Sequence, residues 1–297
     1  MRGWRLVLAA VAAGCGGGAD VSTEVAGPEV ELFGAGTIST EAPEFAIALS
    51  PDGDTAYFNR TPTDRSRLDL MVSVRVSGAW SGARPFAPTS EMSAIDPFMP
   101  VSGAELFFSS NQESPESPGS FGLWYVRRIA DGWSEPIALP RPVNSDSSDV
   151  FNSISSDGLM VFSSTRDGPR RIYSTRRDGE GWSPPVPIQF GEVTEASNPA
   201  ISPDGRFMVI AAPVEGRGAD LFVSCLEEGG WTQPQALPDP ISSRFAELAP
   251  ALTDEWLYFT SERPGVVGRR PEGVRPPGDI YRTPVRHIAG LCQSRAP

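Results

Sequence analysis

A repeated four-residue turn constrains the fold of this 297-residue chain more than any other feature. It first occurs as Ser50-Pro51-Asp52-Gly53 between two short apolar runs, and it recurs at residues 155–158 and 202–205. Residues 102–103 and 253–255 occupy the same place in altered form. Asp-Gly supplies the positive-φ residues that a tight hairpin needs, and β-prone runs flank it. The sequence therefore predicts a β-hairpin unit that repeats about every 50 residues.

Further strands follow each turn. The second strands contain aromatic or branched pairs at residues 57–58, 107–108, 161–162, 209–210 and 258–259. The third strands are predicted over residues 68–74, 122–126, 171–174, 220–224 and 279–282. In four units a glycine-bearing turn then leads to a tryptophan that we expect to pack between units: Trp80, Trp133, Trp182 and Trp231. Four short strands per repeat predict an all-β fold, a β-propeller of four-stranded blades.

The number of units favours five blades, and six would require another unit. The fifth unit lacks a tryptophan strand after residues 279–282, whereas residues 30–33 form a short run before the first inner strand. An N-terminal strand added to the last blade would close the ring and leave no free sheet edge. Two tight hairpins per blade also account for the 30 glycines and 30 prolines.

The unit resembles a known repeat. The Ser-Pro-Asp-Gly turn, an aromatic pair with serine, and Asp-Leu-Phe or Asp-Ile-Tyr at residues 220–222 and 279–281 are similar to the TolB-type propeller repeat. The resemblance covers residues 29–285, and it implies a propeller fold while leaving the function open. Unlike in TolB, we expect no separate α/β domain before the propeller. Unlike peptidases with similar propellers, it contains no Gly-x-Ser-x-Gly sequence.

The first residues indicate export. Arg2 and Arg5 precede a short apolar run that ends in small residues before Cys15, which is typical of a secretory signal. Residues 12–15 also resemble the bacterial lipoprotein signal, in which the cysteine is lipidated. We therefore predict a signal peptide over residues 1–14, a lipid-anchored flexible tether over 15–28 and a propeller domain over 29–297. The alternative is an ordinary cleaved signal with an incidental cysteine.

Composition excludes several classes of function. The net charge is −12, the 25 basic residues are all arginines, and His287 is the single histidine. Without lysine the chain forms neither a Schiff-base lysine nor a P-loop, and one histidine cannot build a multi-histidine metal site. The acidic balance argues against nucleic-acid binding. We expect no cofactor and no metal. Cys225 and Cys292 either pair in an oxidising compartment or remain free thiols.

The candidate site lies on the face with the longer loops. If the Ser-Pro-Asp-Gly turns share one face with the glycine–tryptophan turns, the opposite face receives the irregular loops over residues 59–67, 110–121 and 261–278. Five polar residues are predicted to form a collar where the inner strands begin. They are Glu44, Asp149 and Glu247 at one matching position, and Asp96 and Asn198 two positions further along. Such a collar suits a cation, a basic peptide or sugar hydroxyls, and the alternative is solvation of a loop end.

Several arginines are concentrated in the long loop of the fifth blade. Arg263, Arg269 and Arg270 lie there among prolines and glycines. We predict a docking element for an acidic partner, and a mobile solvated loop is the alternative.

Three functions remain open. The leading one is a non-enzymatic propeller that binds or scaffolds an envelope protein or polysaccharide through its loop-rich face. It would contact the membrane through its lipid anchor alone, at the outer membrane, facing the periplasm or the surface. The second is a glycan-active enzyme with Glu44, Asp149 and Glu247 as candidate catalytic carboxylates, because glycoside hydrolysis requires two carboxyls and no histidine. The third is a structural member of an envelope assembly.

Overall fold

The repeated turn is held by its own serine and aspartate. The structure is a computed structural model that describes residues 29–62, 68–179, 181–266 and 278–293. In the first turn, the Ser50 hydroxyl donates to the Asp52 carboxylate and accepts the Thr55 N–H at 2.8 Å, while Gly53 takes φ of 73°. Ser202 donates to Asp204 at 2.7 Å in the same way. The turn aspartates therefore serve the hairpin geometry.

The strands occupy equivalent places in five blades. The innermost strands are β2 (Glu44–Leu49), β7 (Ile95–Phe98), β12 (Asp149–Ile154), β17 (Ser197–Ile201) and β22 (Glu247–Leu252). The second strands are β3 (Thr55–Arg60), β8 (Glu105–Ser110), β13 (Leu159–Ser164), β18 (Phe207–Val214) and β23 (Trp256–Ser261). The third strands are β4 (Asp69–Val76), β9 (Gly122–Ile129), β14 (Arg171–Asp178), β19 (Gly218–Glu227) and β24 (Asp279–Pro284).

A short outer strand completes each blade. The outer strands are β5 (Ala79–Trp80), β10 (Gly132–Trp133), β15 (Gly181–Trp182), β20 (Gly230–Trp231) and, in blade 5, β1 (Glu31–Leu32). In blades 1 to 4 a two-residue segment also pairs with the third strand: β6 (Arg84–Pro85), β11 (Ile137–Ala138), β16 (Val186–Pro187) and β21 (Gln235–Ala236). A 3₁₀ turn over Ala87–Thr89 lies in the link that follows β6.

The N-terminal strand closes the ring. In β1, Glu31 pairs with Arg282 and Leu32 with Tyr281 of β24, antiparallel. The Phe33 N–H then donates to the Ile280 carbonyl at 2.8 Å. The predicted five-bladed propeller and its N-terminal closure are confirmed, and the third-strand edge of blade 5 is covered.

Every inner strand contains a β-bulge. Its pairing with the second strand shifts register in each blade. One residue at the equivalent place near the start of each inner strand has positive φ: Ala46, Asp96, Phe151, Asn198 and Ala249. A bulge turns the strand and redirects side chains, and three of these residues, Ala46, Phe151 and Ala249, meet in one buried cluster near the channel axis.

The strand-four tryptophans pack between blades, as predicted. Trp133 of blade 2 lies edge-on to Tyr57 and Phe86 of blade 1, with ring centroids 6.2 and 5.9 Å apart. Trp80 of blade 1 packs against Phe33, which follows the closing strand of blade 5. The aromatic pairs are therefore part of the hydrophobic layers that hold neighbouring blades together.

A C-terminal helix that the sequence reading missed follows the last strand. Helix α1 (Arg286–Gln293) buries Ile288 against the core of blades 4 and 5. A disulfide joins Cys225 of β19 to Cys292 of this helix, with the Cα atoms 5.5 Å apart. The pairing left open by the sequence is thus formed in the structure. Within the described residues, no helix is long and apolar enough to cross a membrane.

Candidate functional site

The three candidate carboxylates sit at equivalent places and are completely buried. Glu44, Asp149 and Glu247 each occupy the first position of an inner strand, and each is 0% exposed. The equivalent residues of blades 2 and 4 are Ala94 and Ala196. Three of the five blades therefore bury one carboxylate each at the end that faces the longer loops.

Each carboxylate is bound by an arginine of its own blade. Arg166 Nη2 lies 2.7 Å from Asp149 Oδ1, and the Ser145 N–H and hydroxyl both donate to Asp149 Oδ2 at 2.7 Å. The same arrangement recurs in the other two blades, with Arg60 and Thr40 around Glu44, and Arg263 and Ser243 around Glu247. Burial raises the pKa of Glu44, and the hydrogen bonds from Thr40 and Arg60 oppose that shift.

The arginines also hold the links between blades. Arg166 donates to the carbonyls of Pro142 and Val143, which precede the inner strand of blade 3. Its guanidinium lies over the rings of Phe162 and Tyr173, 5.2 and 5.1 Å from their centroids. Arg263 makes the corresponding contacts in blade 5, to the carbonyls of residues 240 and 241 and over the rings of residues 259 and 281. These side chains form a repeated structural unit that ties loop, link and strand together.

Apolar side chains, and not the carboxylates, meet at the channel near this face. Buried Ala46, Phe151 and Ala249 cluster there, and the partly buried side chains packed against them are Phe45, Val150 and Leu248. All six come from the inner strands of blades 1, 3 and 5. The two residues that follow each carboxylate in the chain therefore close the channel.

Asp96 and Asn198 lie at the bulges of blades 2 and 4. The Asp96 N–H donates to Asn59 Oδ1 of blade 1 at 2.9 Å, and the Asn198 N–H donates to Ser163 Oγ of blade 3 at 3.0 Å. The bulge amides of Ala46 and Phe151 bond the preceding blade in the same way. The bulge residues thus connect the blades through their backbone.

The Asp96 carboxyl has a strongly shifted titration. Burial raises its pKa to about 7, while a hydrogen bond from Ser109 and the charge of Arg170 act in the opposite direction. Arg170 itself has a buried Nη1 without a hydrogen-bond partner among the described residues. Asp96 is therefore the predicted collar residue whose charge changes near neutral pH.

The remaining sequence-predicted residues fall in two groups. Arg263 is described, and its guanidinium is held by Glu247 and backbone carbonyls, with 15% of its side chain exposed. Arg269, Arg270 and Cys15 lie outside the described residues. Across the described ranges, no cluster of three or more histidine, cysteine or acidic side chains could hold a metal ion.

A central cavity on the opposite face was not predicted. It has a volume of about 320 Å³ and runs from the bulge residues Ala46 and Phe151 to the short turns at Pro51, Pro203 and Asp254. Its walls are mainly apolar side chains of the five inner strands. A usable signal was present in the sequence, because proline or isoleucine follows the bulge residue in four blades and asparagine follows it in the other.

Comparison with known proteins supports the fold and nothing finer. No family model and no curated protein matches the sequence. Among solved structures, the chain is similar to a thermostable family-43 glycoside hydrolase, with 10% identity, a TM-score of 0.55, and coverage of 83% of this chain and 89% of that one. It is also similar to hydrazine synthase of Kuenenia stuttgartiensis, with 15% identity, a TM-score of 0.50, and coverage of 81% and 40%.

TolB from Acinetobacter baumannii is also among the similar structures, with 11% identity, a TM-score of 0.46 and coverage of 82% of this chain. The chain spans 54% of the length of that TolB chain. These likenesses are of fold. The activities and partners of these proteins are therefore not assigned to this chain.

Proposed function

We propose that the protein is a non-enzymatic binding propeller, exported and lipid-anchored to the bacterial cell envelope, which engages a protein or polysaccharide through the face that bears the longer loops. One observation carries this proposal: each of the three candidate carboxylates is buried and forms an ion pair with an arginine of its own blade. Those pairs fix the bases of the loops and links, so that the loops project from a rigid platform, as binding loops commonly do.

The same pairs weigh against hydrolysis. A glycosidase needs one carboxyl that donates a proton and a second that attacks the sugar or activates water, facing each other across the substrate. Here Asp149 accepts hydrogen bonds on both oxygens, from Arg166 on one and from Ser145 on the other. Glu44 and Glu247 are bound similarly, and each is 0% exposed. Carboxylates in this state serve structure more readily than proton transfer.

The exposed residues of the long-loop face provide the test. Gln112, Glu113 and Arg244 lie on this face and are exposed. The full chain with all three changed to alanine should fail to retain a partner that the wild type retains after crosslinking in native membranes. The matched control changes exposed Asp131 and Glu228, which lie at the turns on the opposite face, and it should retain that partner. Equal retention by both variants would overturn the assignment of the face.

Two further measurements separate this proposal from its alternatives. Cys15→Ala should move the protein from the membrane fraction to the soluble fraction if the cysteine carries the anchor. A glycan-active enzyme, the alternative function, would hydrolyse envelope polysaccharide or aryl glycosides and lose that activity in Glu247→Gln, assayed at a temperature where circular dichroism shows the variant to be folded. Detection of such activity would replace the binding proposal.

A further inference from the structure

A second cleft adjoins the central cavity on the face that bears the short turns. It lies at the seam between blades 5 and 1, has a volume of about 370 Å³, and is called the seam cleft below. Ser50 and Pro51 of the blade 1 turn and Thr253 and Asp254 of the blade 5 turn line both spaces. Because both sides of the gap between these turns border the cavity and the cleft, the two spaces form one continuous site.

The seam between blades 1 and 2 carries a similar cleft without this connection. In each seam an arginine of the third strand pairs with the tryptophan of the outer strand and lies over its ring: Arg75 over Trp80, and Arg128 over Trp133. The cleft beside Trp133 shares no described lining residue with the central cavity. A ligand in the central cavity can therefore extend into the seam cleft and not into this second cleft.

The central cavity accepts an apolar group. Its walls run from Phe151 at the closed end to Leu49 and Leu252 beside the turns, and Asp254 at the rim is the only charged residue among the described ones that line it. A charged group would lose its water shell there without a partner, which is unfavourable. The volume of about 320 Å³ is at the lower end of the range for small-molecule sites, which is about 300–1,000 Å³.

The seam cleft is polar and carries both signs of charge. Arg75, Asp254 and Glu255 line it, are exposed, and form no side-chain hydrogen bond or ion pair with the described residues. A guanidinium only donates hydrogen bonds and a carboxylate only accepts them. A ligand group of one charge sign would therefore meet a like charge, whereas hydroxyl groups both donate and accept and can pair with all three side chains.

Two partly exposed tryptophans, Trp80 and Trp256, also line the seam cleft. Their indole rings add apolar surface next to the charged groups. The ring of a sugar matches this combination, because it has C–H groups on its faces and hydroxyls around its edge.

We propose that the central cavity and the seam cleft together bind a small glycoside, with its apolar aglycone in the cavity and its sugar in the cleft, where Arg75 and Glu255 bond the hydroxyls. This site lies opposite the long-loop face proposed for the partner, so either proposal stands or fails without the other.

The test uses the purified full chain, with phenyl β-D-glucoside as the probe and toluene and D-glucose as its two parts. Isothermal titration and ligand-observed NMR should show that the glucoside binds more tightly than either part. L-Phenylalanine, a zwitterion with a similar aromatic body, should bind more weakly than the glucoside. The proposal is overturned if the glucoside binds no more tightly than toluene, or if L-phenylalanine binds more tightly than the glucoside.

A matched pair of variants locates the sugar. Arg75→Met should lower the affinity for the glucoside by about tenfold, because hydrogen bonds from a charged group are lost, and should leave the affinity for toluene unchanged. Arg128→Met removes the equivalent exposed arginine over Trp133 and should change neither affinity. Equal glucoside affinities in the two variants would overturn the assignment of the seam cleft.

A third variant locates the aglycone. Ala251 is partly exposed and lines the central cavity, so Ala251→Phe should weaken the binding of both the glucoside and toluene. The measurement is made at a temperature where circular dichroism shows the variant to be folded. Unchanged affinities in this folded variant would overturn the placement of the apolar group.

Discussion

The buried carboxylate–arginine pairs act at the scale of single residues. Desolvating two charges offsets much of their attraction, so that such pairs add little net stability, whereas removing one partner leaves an uncompensated charge. Blades 2 and 4, with Ala94 and Ala196, show that a blade closes without the pair. We infer that the pairs mainly fix the conformation of the links that the arginines bond.

Breaking one pair should therefore be costly. Arg166→Met should lower the free energy of unfolding by about 3–5 kcal/mol, because Asp149 would stay buried without its cation. Chemical denaturation followed by tryptophan fluorescence measures the change. The control is Arg176→Met, which removes an ion pair to Asp157 whose two side chains are 50% and 64% exposed, and should cost less than about 1 kcal/mol. Similar losses in both variants would contradict the burial of the Asp149 charge.

Asp96 predicts a pH-dependent contribution to stability. Its folded pKa of about 7 lies above the ordinary value of 3.8, so the folded protein holds a proton that the unfolded chain releases. The stability that this proton provides is complete below pH 3.8 and is lost as the pH rises through about 7. Asp96→Asn removes the titration and keeps a residue suited to positive φ, as Asn198 does at the same place in blade 4.

The stability of Asp96→Asn relative to wild type should therefore increase from pH 4 to pH 8. Urea denaturation at pH 4, 6 and 8 measures the difference. Asp157→Asn supplies a control of opposite sign, because the Ser155 hydroxyl lowers the pKa of Asp157, so its replacement should cost more at pH 8 than at pH 3. If the stability difference between Asp96→Asn and wild type did not vary with pH, the Asp96 carboxyl of the wild type would have to be solvated.

At the scale of elements, the hairpins were predictable and the helix was not. Ser-Pro-Asp-Gly fixes a turn through contacts within five residues, so the local sequence contains the whole signal. Helix α1 has eight residues, and its stability depends on Ile288 packing against blades 4 and 5 and on a disulfide to β19. A short helix is marginal without such tertiary contacts, and those contacts are not visible in the local pattern.

The disulfide should stabilise this element. It closes a sequence separation of 67 residues between Cys225 and Cys292, and a loop of that size contributes about 2–4 kcal/mol. Cys292→Ser should lower the melting temperature, and hydrogen exchange should increase most in α1. Reduction with dithiothreitol should shift the wild type toward the variant and leave the variant unchanged. An equal effect of reductant on both would show that the bond does not form.

At the scale of the whole molecule, the sequence predicted which residues occupy equivalent positions in the blades better than it predicted what surrounds their side chains. The repeat placed Glu44, Asp149 and Glu247 at one position, and the structure agrees. Their partners are harder to predict, because Arg60 pairs directly opposite Glu44 whereas Arg263 lies two residues beyond the end of its strand. The bulges that close the channel could not be predicted either, because two of their positive-φ residues, Ala46 and Ala249, are alanines, which do not favour that conformation. Periodicity identifies which residues correspond, but packing decides which way they face.

Ring closure predicts where the propeller should open first. Phe33 follows the closing strand and packs on Tyr258 of blade 5 and Trp80 of blade 1, with centroids 5.1 and 5.7 Å away. Phe33→Ala should cost about 3–5 kcal/mol. Native-state hydrogen exchange should then show lost protection in β1 and β24, with blade 3 unaffected.

Phe86→Ala is the matched variant for this prediction. Phe86 is as deeply buried and packs edge-on against Tyr57 and Trp133, but its seam joins blades 1 and 2, which are consecutive in the chain. Both variants remove the same side chain from an inter-blade layer, so their costs should be similar. Protection of β1 should fall selectively in Phe33→Ala, because the ring is closed there by the pairing of a two-residue strand with β24. Blades 1 and 2, in contrast, are joined by an unbroken stretch of chain. Equal exchange of β1 in the two variants would mean that the ring opens as one cooperative unit, independent of where the chain closes it.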